Sequence, residues 1–311
     1  MGLWAGQVML TFDNVNQYID WWHEALPGSL EGFDHEGTLT SIILSPGLTV
    51  GITNYWNITL TQVVGSRFMA WDGDTTTIHH RDEGSHSDFR NAIGGLMGDT
   101  RIMLRYLLYN DGMGAGKRLF LGGGLIVPSE NTITSDPFFL NGEERSEHRH
   151  FSMSEGVYKA LCELQYFKKR NSNPVFLGGA LTTEIPLKTN EYGYRASRFY
   201  DISLSVLTRE VPSLGAALSS SAVVRHSTKA YWNNKPSPNS RSTVLTIGIG
   251  LIWNLRFGGL SVNLQQPIFL DGRFSGIEGE VDQRVSAYQV SVSYRRVFDY
   301  VIPWLDPLRD L

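Results

Sequence analysis

From Gly98 to Asn110 the chain alternates, with Ile102, Leu104, Tyr106 and Leu108 on one parity and Arg101, Met103, Arg105 and Tyr109 on the other. A period of two sends successive side chains to opposite faces, so the run predicts a β-strand. The segment 151–167 repeats the pattern, Tyr158, Ala160, Cys162, Leu164 and Tyr166 opposing Lys159, Glu163 and Gln165. So does the last such run, where Tyr288, Val290, Val292 and Tyr294 alternate with Gln289, Ser291, Ser293 and Arg295. Reading every run this way predicts about twelve strands, at 3–13, 39–52, 56–68, 99–110, 117–128, 150–169, 174–189, 195–209, 214–231, 242–256, 258–268 and 284–298. Tight connections rich in turn residues fall at 53–55, 111–116, 171–173, 210–213 and near Phe257. They alternate with long ones at 14–38, 70–98, 129–149, 232–241 and 270–283, the short 190–194 being the exception. Short turns on one side and long loops on the other are the asymmetry of outer-membrane barrels, and an even strand number puts both chain ends on the short-turn, periplasmic side.

Alternation does not say which face is wet, because a soluble barrel turns its apolar face inward and a membrane barrel turns it out. The polar face decides. It carries Arg101, Arg105, Lys159, Glu163, Asp201, Asn263, Gln265 and Arg295, which suit a watery lumen. Aromatics flank the apolar face: Tyr158 and Tyr166 stand eight residues apart, roughly 27 Å along a strand or about 20 Å of height after tilt, near the spacing of interfacial girdles. The expected fold is all-β, a transmembrane antiparallel up-and-down β-barrel over residues 1–300 with a C-terminal periplasmic tail over 301–311.

Composition narrows the function. The 311 residues carry 27 basic and 31 acidic side chains for a net charge of −4, with no basic run interleaved with aromatics, so a nucleic-acid partner is not expected. A single cysteine, Cys162, excludes an internal disulfide and a cysteine-based zinc site. No run approaches the roughly 18 apolar residues of a membrane helix, whereas 32 Gly, 13 Tyr, 15 Phe and 8 Trp suit a barrel. Residues 1–7 lack a charged then apolar leader, so the chain is expected to be mature or trimmed.

Several segments carry a resemblance: Gly51-Ile52-Thr53, Trp56-Asn57-Ile58-Thr59-Leu60, Gly98-Asp99-Thr100-Arg101 and Gly123-Gly124-Leu125-Ile126-Val127-Pro128. Over residues 39–300 the pattern resembles the outer-membrane channels associated with the meta pathway of phenol degradation. The family's usual Thr-Gly after that proline is Ser129-Glu130 here. The resemblance implies passive passage of small, hydrophobic or aromatic molecules across a bacterial outer membrane, with no catalytic residues and no cofactor.

Four candidate sites follow. In the first long loop Val15, Tyr18, Ile19, Trp22 and Leu26 fall at helical spacing, with Asn14 as N-cap and Pro27 as stop, which predicts a short amphipathic helix. Through Tyr18, Ile19 and Trp22 it is either a lid over the pore or a helix resting on the rim. His79, His80, His86, His148 and His150 sit in or beside the long loops near Asp82, Glu83 and Asp88; imidazole and carboxylate together can hold a divalent transition metal, although the spacing matches no fixed motif. His150-Phe151-Ser152 would put a His and a Ser on one face of a strand, the arrangement of a barrel lipid hydrolase, without the Asn-Gly that accompanies it in those enzymes. Finally, Arg101, Arg105, Lys159, Glu163, Gln265, Gln289 and Arg295 are candidate lumen residues, either a selectivity region or paired charges filling a closed barrel. The expected role is a passive channel contacting outer-membrane lipids and a small-molecule solute. The rival is a closed structural barrel that binds a protein partner through its long loops or its tail.

Overall fold

The computed structural model describes residues 2–24, 34–72, 82–112, 114–140, 148–238, 240–272 and 283–306. Among them twelve long strands form the wall: β1 Gln7–His23, β2 His35–Gly51, β3 Trp56–Asp72, β4 Met97–Asn110, β5 Gly116–Val127, β6 Lys159–Lys169, β7 Phe176–Pro186, β8 Phe199–Val211, β9 Ala216–Ser227, β10 Ser242–Leu255, β11 Gly258–Asp271 and β12 Gln283–Val301. Every strand pairs antiparallel with its chain neighbours, and β1 also pairs with β12 from Gln7↔Val301 to His23↔Gln283. The sheet closes on itself and leaves no edge. None of the described helical turns is long and apolar enough to cross a membrane, a statement that leaves strands untouched.

The outward rows are apolar because the parity is. Ile102 and Leu104 on β4, Ile202 and Leu204 on β8 and Ile249 on β10 all face away from the lumen and are exposed. Toward the short-turn end the exterior is ringed by Tyr55, Trp56, Tyr109, Phe257 and Tyr300, and toward the other end by Phe68, Tyr158, Tyr200 and Tyr288. At the tight β10–β11 turn Gly258 adopts φ +151°, and a Cβ there would lie 2.6 Å from the carbonyl oxygen of Arg295. Only glycine fits that turn.

Two expectations need correction. Residues 14–23 are strand, and the helical turn among the described residues is the single 3-10 turn Pro303–Leu305. The reason is an inversion on β1. Asn14, Asn16 and Asp20 lie on the outward row, opposite Leu44, Ile42 and Thr38, whereas Val15, Ile19 and Trp21 point inward. Apolar positions out of the usual phase imitate helical spacing. Tyr18 stacks on Tyr288 at 5.2 Å, Trp22 lies 4.7 Å below the Arg284 guanidinium, and Ile19 faces the lumen, so these three form no lid helix. The other correction concerns 150–158, which is loop: β6 begins at Lys159, after Gly156 turns the chain at φ +66°.

Wall height is uneven. Strands β1, β2 and β3 run 17 residues and β12 runs 19, but β6 and β7 run only 11. Above the low arc the loops close in. Glu83 and Gly84 pair with Met69 and Phe68 of β3, and Tyr194–Arg195, Tyr231–Trp232 and Lys235–Pro236 make a small three-stranded sheet at the mouth. At the short-turn end the N-terminal residues enter the barrel: the Leu3 amide donates to Asn57 Oδ1 at 2.9 Å, and Gly2 lies against the Phe120 ring. Just past β12 the Ile302 amide donates to the Gly6 carbonyl at 2.8 Å, tying the two chain ends together.

Candidate functional site: a charged wall and a mouth cavity

Register sets the lumen chemistry. Arg101, Ile126 and Lys159 share one rung across β4, β5 and β6, and Arg105, Gly122 and Glu163 share another four residues away. Between them Met103 and Leu161 flank Gly124, and with Ile126 they form a buried apolar cluster on the inner wall. Gly122 matters because a Cβ there would meet the Glu163 side chain at 3.2 Å. Its missing side chain lets Arg105 reach across a strand to Glu163, donating from Nε to Oε1 at 2.5 Å and from Nη2 to Oε2 at 3.3 Å. This fork-to-fork geometry is the strong form of an ion pair.

Around the other rung a chain of charges forms. Arg101 donates to Glu184 Oε1 at 2.8 Å, and Lys159 donates to Glu184 Oε2 at 3.3 Å and to Glu155 Oε2 at 2.5 Å. Glu155 also accepts from the Tyr194 hydroxyl at 3.2 Å. Burial pushes that hydroxyl's pKa well up, with the Glu155 charge adding to it, so Tyr194 remains a neutral donor. Next along the wall Arg225 forms a two-bond pair with Asp201, both at 2.7 Å.

The facing wall is polar, with amide and hydroxyl groups at mid-height and the charges of Asp13 and Arg295 toward the short-turn end. Gln289 donates to Gln265 Oε1 at 2.5 Å, and Ser219 donates to Asn263 Oδ1 at 3.0 Å. Arg295 stands in the inward row near the short-turn end, level with Gly259 and Thr11. The structure therefore gathers Arg101 and Lys159 into one network and Arg105 and Glu163 into one pair, with Gln265 and Gln289 opposite and Arg295 apart. Sequence reading missed Arg67, Glu155, Glu184 and Arg225. Arg67 keeps the inward parity of Asn57, Thr59 and Thr61 on its strand, and Glu184 could have been found the same way on β7.

At the long-loop mouth lies a cavity of about 410 Å³. Its floor is the Arg101–Lys159–Glu184 network, its sides include Arg67 and Asp99, and its roof is made by residues of the loop through 150–155 with Phe138 and Trp232. One anchor of that roof is Arg149. Wholly buried, it donates from Nη1 to the carbonyls of Gly84 and Ser87 at 3.2 and 2.7 Å and from Nη2 to that of Ile93 at 2.6 Å. Beside it Glu83 accepts the His150 amide at 3.2 Å.

Burial pushes the Glu83 carboxyl from an ordinary 4.5 to about 8, against the pull of the His150 amide and the Arg149 charge. The folded loop thus holds this proton more tightly than an unfolded chain does. Its contribution to stability is complete below pH 4.5 and declines as pH rises through 8. Limited proteolysis at a series of pH values checks this: cleavage within 82–96 and 148–155 of the wild type should rise, relative to Glu83→Gln at the same pH, between about pH 5 and about pH 8.5. A constant ratio would remove Glu83 as the cause.

The described histidines do not gather into a metal site. His79 and His80 lie outside the described residues. His86 packs on Phe68 of the outward row at 5.4 Å, whereas the His148 and His150 rings meet at 4.4 Å, tilted by 59°. Among the described residues no three His, Cys, Asp or Glu side chains are placed to hold a metal. Nor do His150 and Ser152 share a strand face. The Ser152 hydroxyl donates to the Ser154 carbonyl at 2.5 Å, and the His150 ring packs beside Trp71 and Phe138.

No family model and no curated protein matches the sequence. Among solved structures the chain is similar to an outer-membrane channel from Pseudomonas putida F1, 12% identical, covering 96% of this chain and 97% of that one at a TM-score of 0.61. Weaker likenesses include the TodX monoaromatic hydrocarbon channel, 10% identical over 96% and 91% at 0.43, and the translocator domain of the autotransporter NalP from Neisseria meningitidis, 12% identical over 93% and 88% at 0.41. At 12% identity the first likeness bears on architecture, and it gives this chain the closed-barrel fold of an outer-membrane channel.

Proposed function

We propose that the protein is a channel of the bacterial outer membrane that passes small molecules without chemistry. The observation that carries this reading is the inner wall: a polar, charge-bearing surface enclosed by the closed sheet, below a mouth cavity of about 410 Å³. An apolar exterior with aromatic rings at both ends supports placement in a bilayer, and the long loops then face outside. Aromatic side chains beside the charged network suit solutes with an apolar body, in keeping with the segments that resemble the phenol-degradation channels. On this reading Arg101, Arg105, Lys159, Glu163, Gln265, Gln289 and Arg295 line the path.

Conductance in a planar bilayer, with reversal potential in a salt gradient, tests it. Discrete openings are expected, and the Arg101→Ala, Arg105→Ala double variant should shift selectivity toward cations, because Glu184 and Glu163 keep their charge. A wild type that never conducts would reject the channel. One specific observation favours the second reading, a closed barrel that anchors a partner: the arginines are paired, and residues 2–5 lie in the short-turn end with Leu3 and Ala5 buried. The described part of the tail offers such a partner the exposed Trp304.

A further inference from the structure

The mouth cavity is unevenly supplied with donors and acceptors. Its carboxylates are engaged: Glu184 accepts from Arg101 on one oxygen and Lys159 on the other, Glu155 from Tyr194 and Lys159, and Asp99 from the Ser129 amide. Asp201, on the inward row of β8, spends both oxygens on Arg225. Donors remain in surplus. A guanidinium offers five N–H groups, yet that of Arg67 makes one described hydrogen bond, from Nη1 to the Ser152 carbonyl at 2.9 Å, and no described ion pair, with the charges of Glu155 and Asp99 acting on it only from beyond contact. Arg101 spends only one nitrogen, on Glu184.

We infer that this cavity binds a small organic carboxylate with an apolar body, its carboxylate on Arg67 and its body against the aromatic roof. A carboxylate matches a guanidinium fork in shape as well as charge. A cationic ligand would have to compete with Arg101, Lys159 and Tyr194 for the oxygens of Glu184 and Glu155. The face of Phe199 is also occupied, by Lys159 at 4.9 Å and Arg225 at 5.5 Å, which leaves Phe138, Phe151 and Trp232 as the aromatic contacts, with Ile133 and Met153 beside them. A volume of about 410 Å³ lies within the usual range of small-ligand sites. The inference rests on the channel reading in one respect, that such an anion is what enters at the mouth.

Isothermal titration of the detergent-solubilised full chain with three probes of one size, benzoate, benzyl alcohol and benzylammonium, tests it. Benzoate should bind about tenfold or more tightly than either of the others, the worth of one charge-assisted hydrogen bond. Arg67→Gln should abolish that preference, and Arg67→Lys should keep part of it. Equal binding of benzoate and benzyl alcohol, no benzoate binding at all, or a preference that survives Arg67→Gln would overturn the inference. Should Arg67→Gln fail to fold, the wild-type order of the three probes still decides. The two readings fail separately: benzoate binding without conductance rejects the channel and leaves the site, whereas conductance without benzoate preference rejects only the site.

Discussion

Arginine at position 249 is expected to cost the fold about 2–4 kcal/mol, against a small change for arginine at position 293. Ile249 lies on the outward row of β10, 65% exposed, with Leu264 and Ser220 beside it. That exposure is tolerable only where hydrocarbon covers it, and a guanidinium there loses its hydration. Ser293 belongs to the inward row of β12, beside Asp13 and Ser261, where water and polar groups receive the charge. Reversible unfolding in lipid vesicles at graded urea measures both. Equal losses for Ile249→Arg and Ser293→Arg would show the apolar row to be a core facing something other than lipid.

Removing the Glu184 side chain should be the most damaging change inside the lumen. Glu184 and Lys159 are each only 5% exposed, and Arg101 joins them from β4. Glu184→Ala leaves a buried ammonium short of one partner, an effect of about 3–5 kcal/mol when one member of a buried pair is deleted. Lys159→Met in the same chain should recover most of it, because the desolvation of the lysine disappears with its charge. The midpoint of urea unfolding for the wild type, the single and the double variant is the check. A harmless Glu184→Ala would mean that water reaches Lys159 freely and that the network is a solvated surface, which strengthens the case for an open lumen.

Barrel closure and strand number were legible in the sequence because one regularity, apolar-out and polar-in, holds on strands such as β4 and β12. Where that regularity fails, so did the reading. Asn14 and Asn16 occupy outward positions on β1 and bond within the wall, Asn14 to the Ile43 carbonyl at 3.3 Å and Asn16 to Asn14 at 2.6 Å. With their polar groups partly satisfied locally, they tolerate a place that parity assigns to apolar residues, and the second half of the strand became invisible. The polar face identified Arg101, Arg105, Lys159 and Glu163 as inward, but not their partners. Arg101 and Glu184 stand 83 positions apart and meet only because register and closure bring β4 and β7 round to one side of the lumen. The roof is less legible still. Its geometry depends on a buried arginine gathering carbonyls from a distant loop, which has no periodicity to betray it.

The uneven wall has a mechanical consequence for any bilayer that surrounds it. Seventeen-residue strands at about 40° of tilt stand about 43 Å tall, and eleven-residue strands about 28 Å. Both arcs exceed the roughly 25 Å apolar band of such barrels, so across a membrane of uniform thickness the tall arc projects well beyond it and the low arc hardly at all. Along β6 and β7 the ladder stands little taller than that band, so outer headgroups there settle against loop backbone in place of a hydrogen-bonded ladder. The surface met by lipid headgroups is therefore anisotropic, loop along the low arc and paired strand along the tall one.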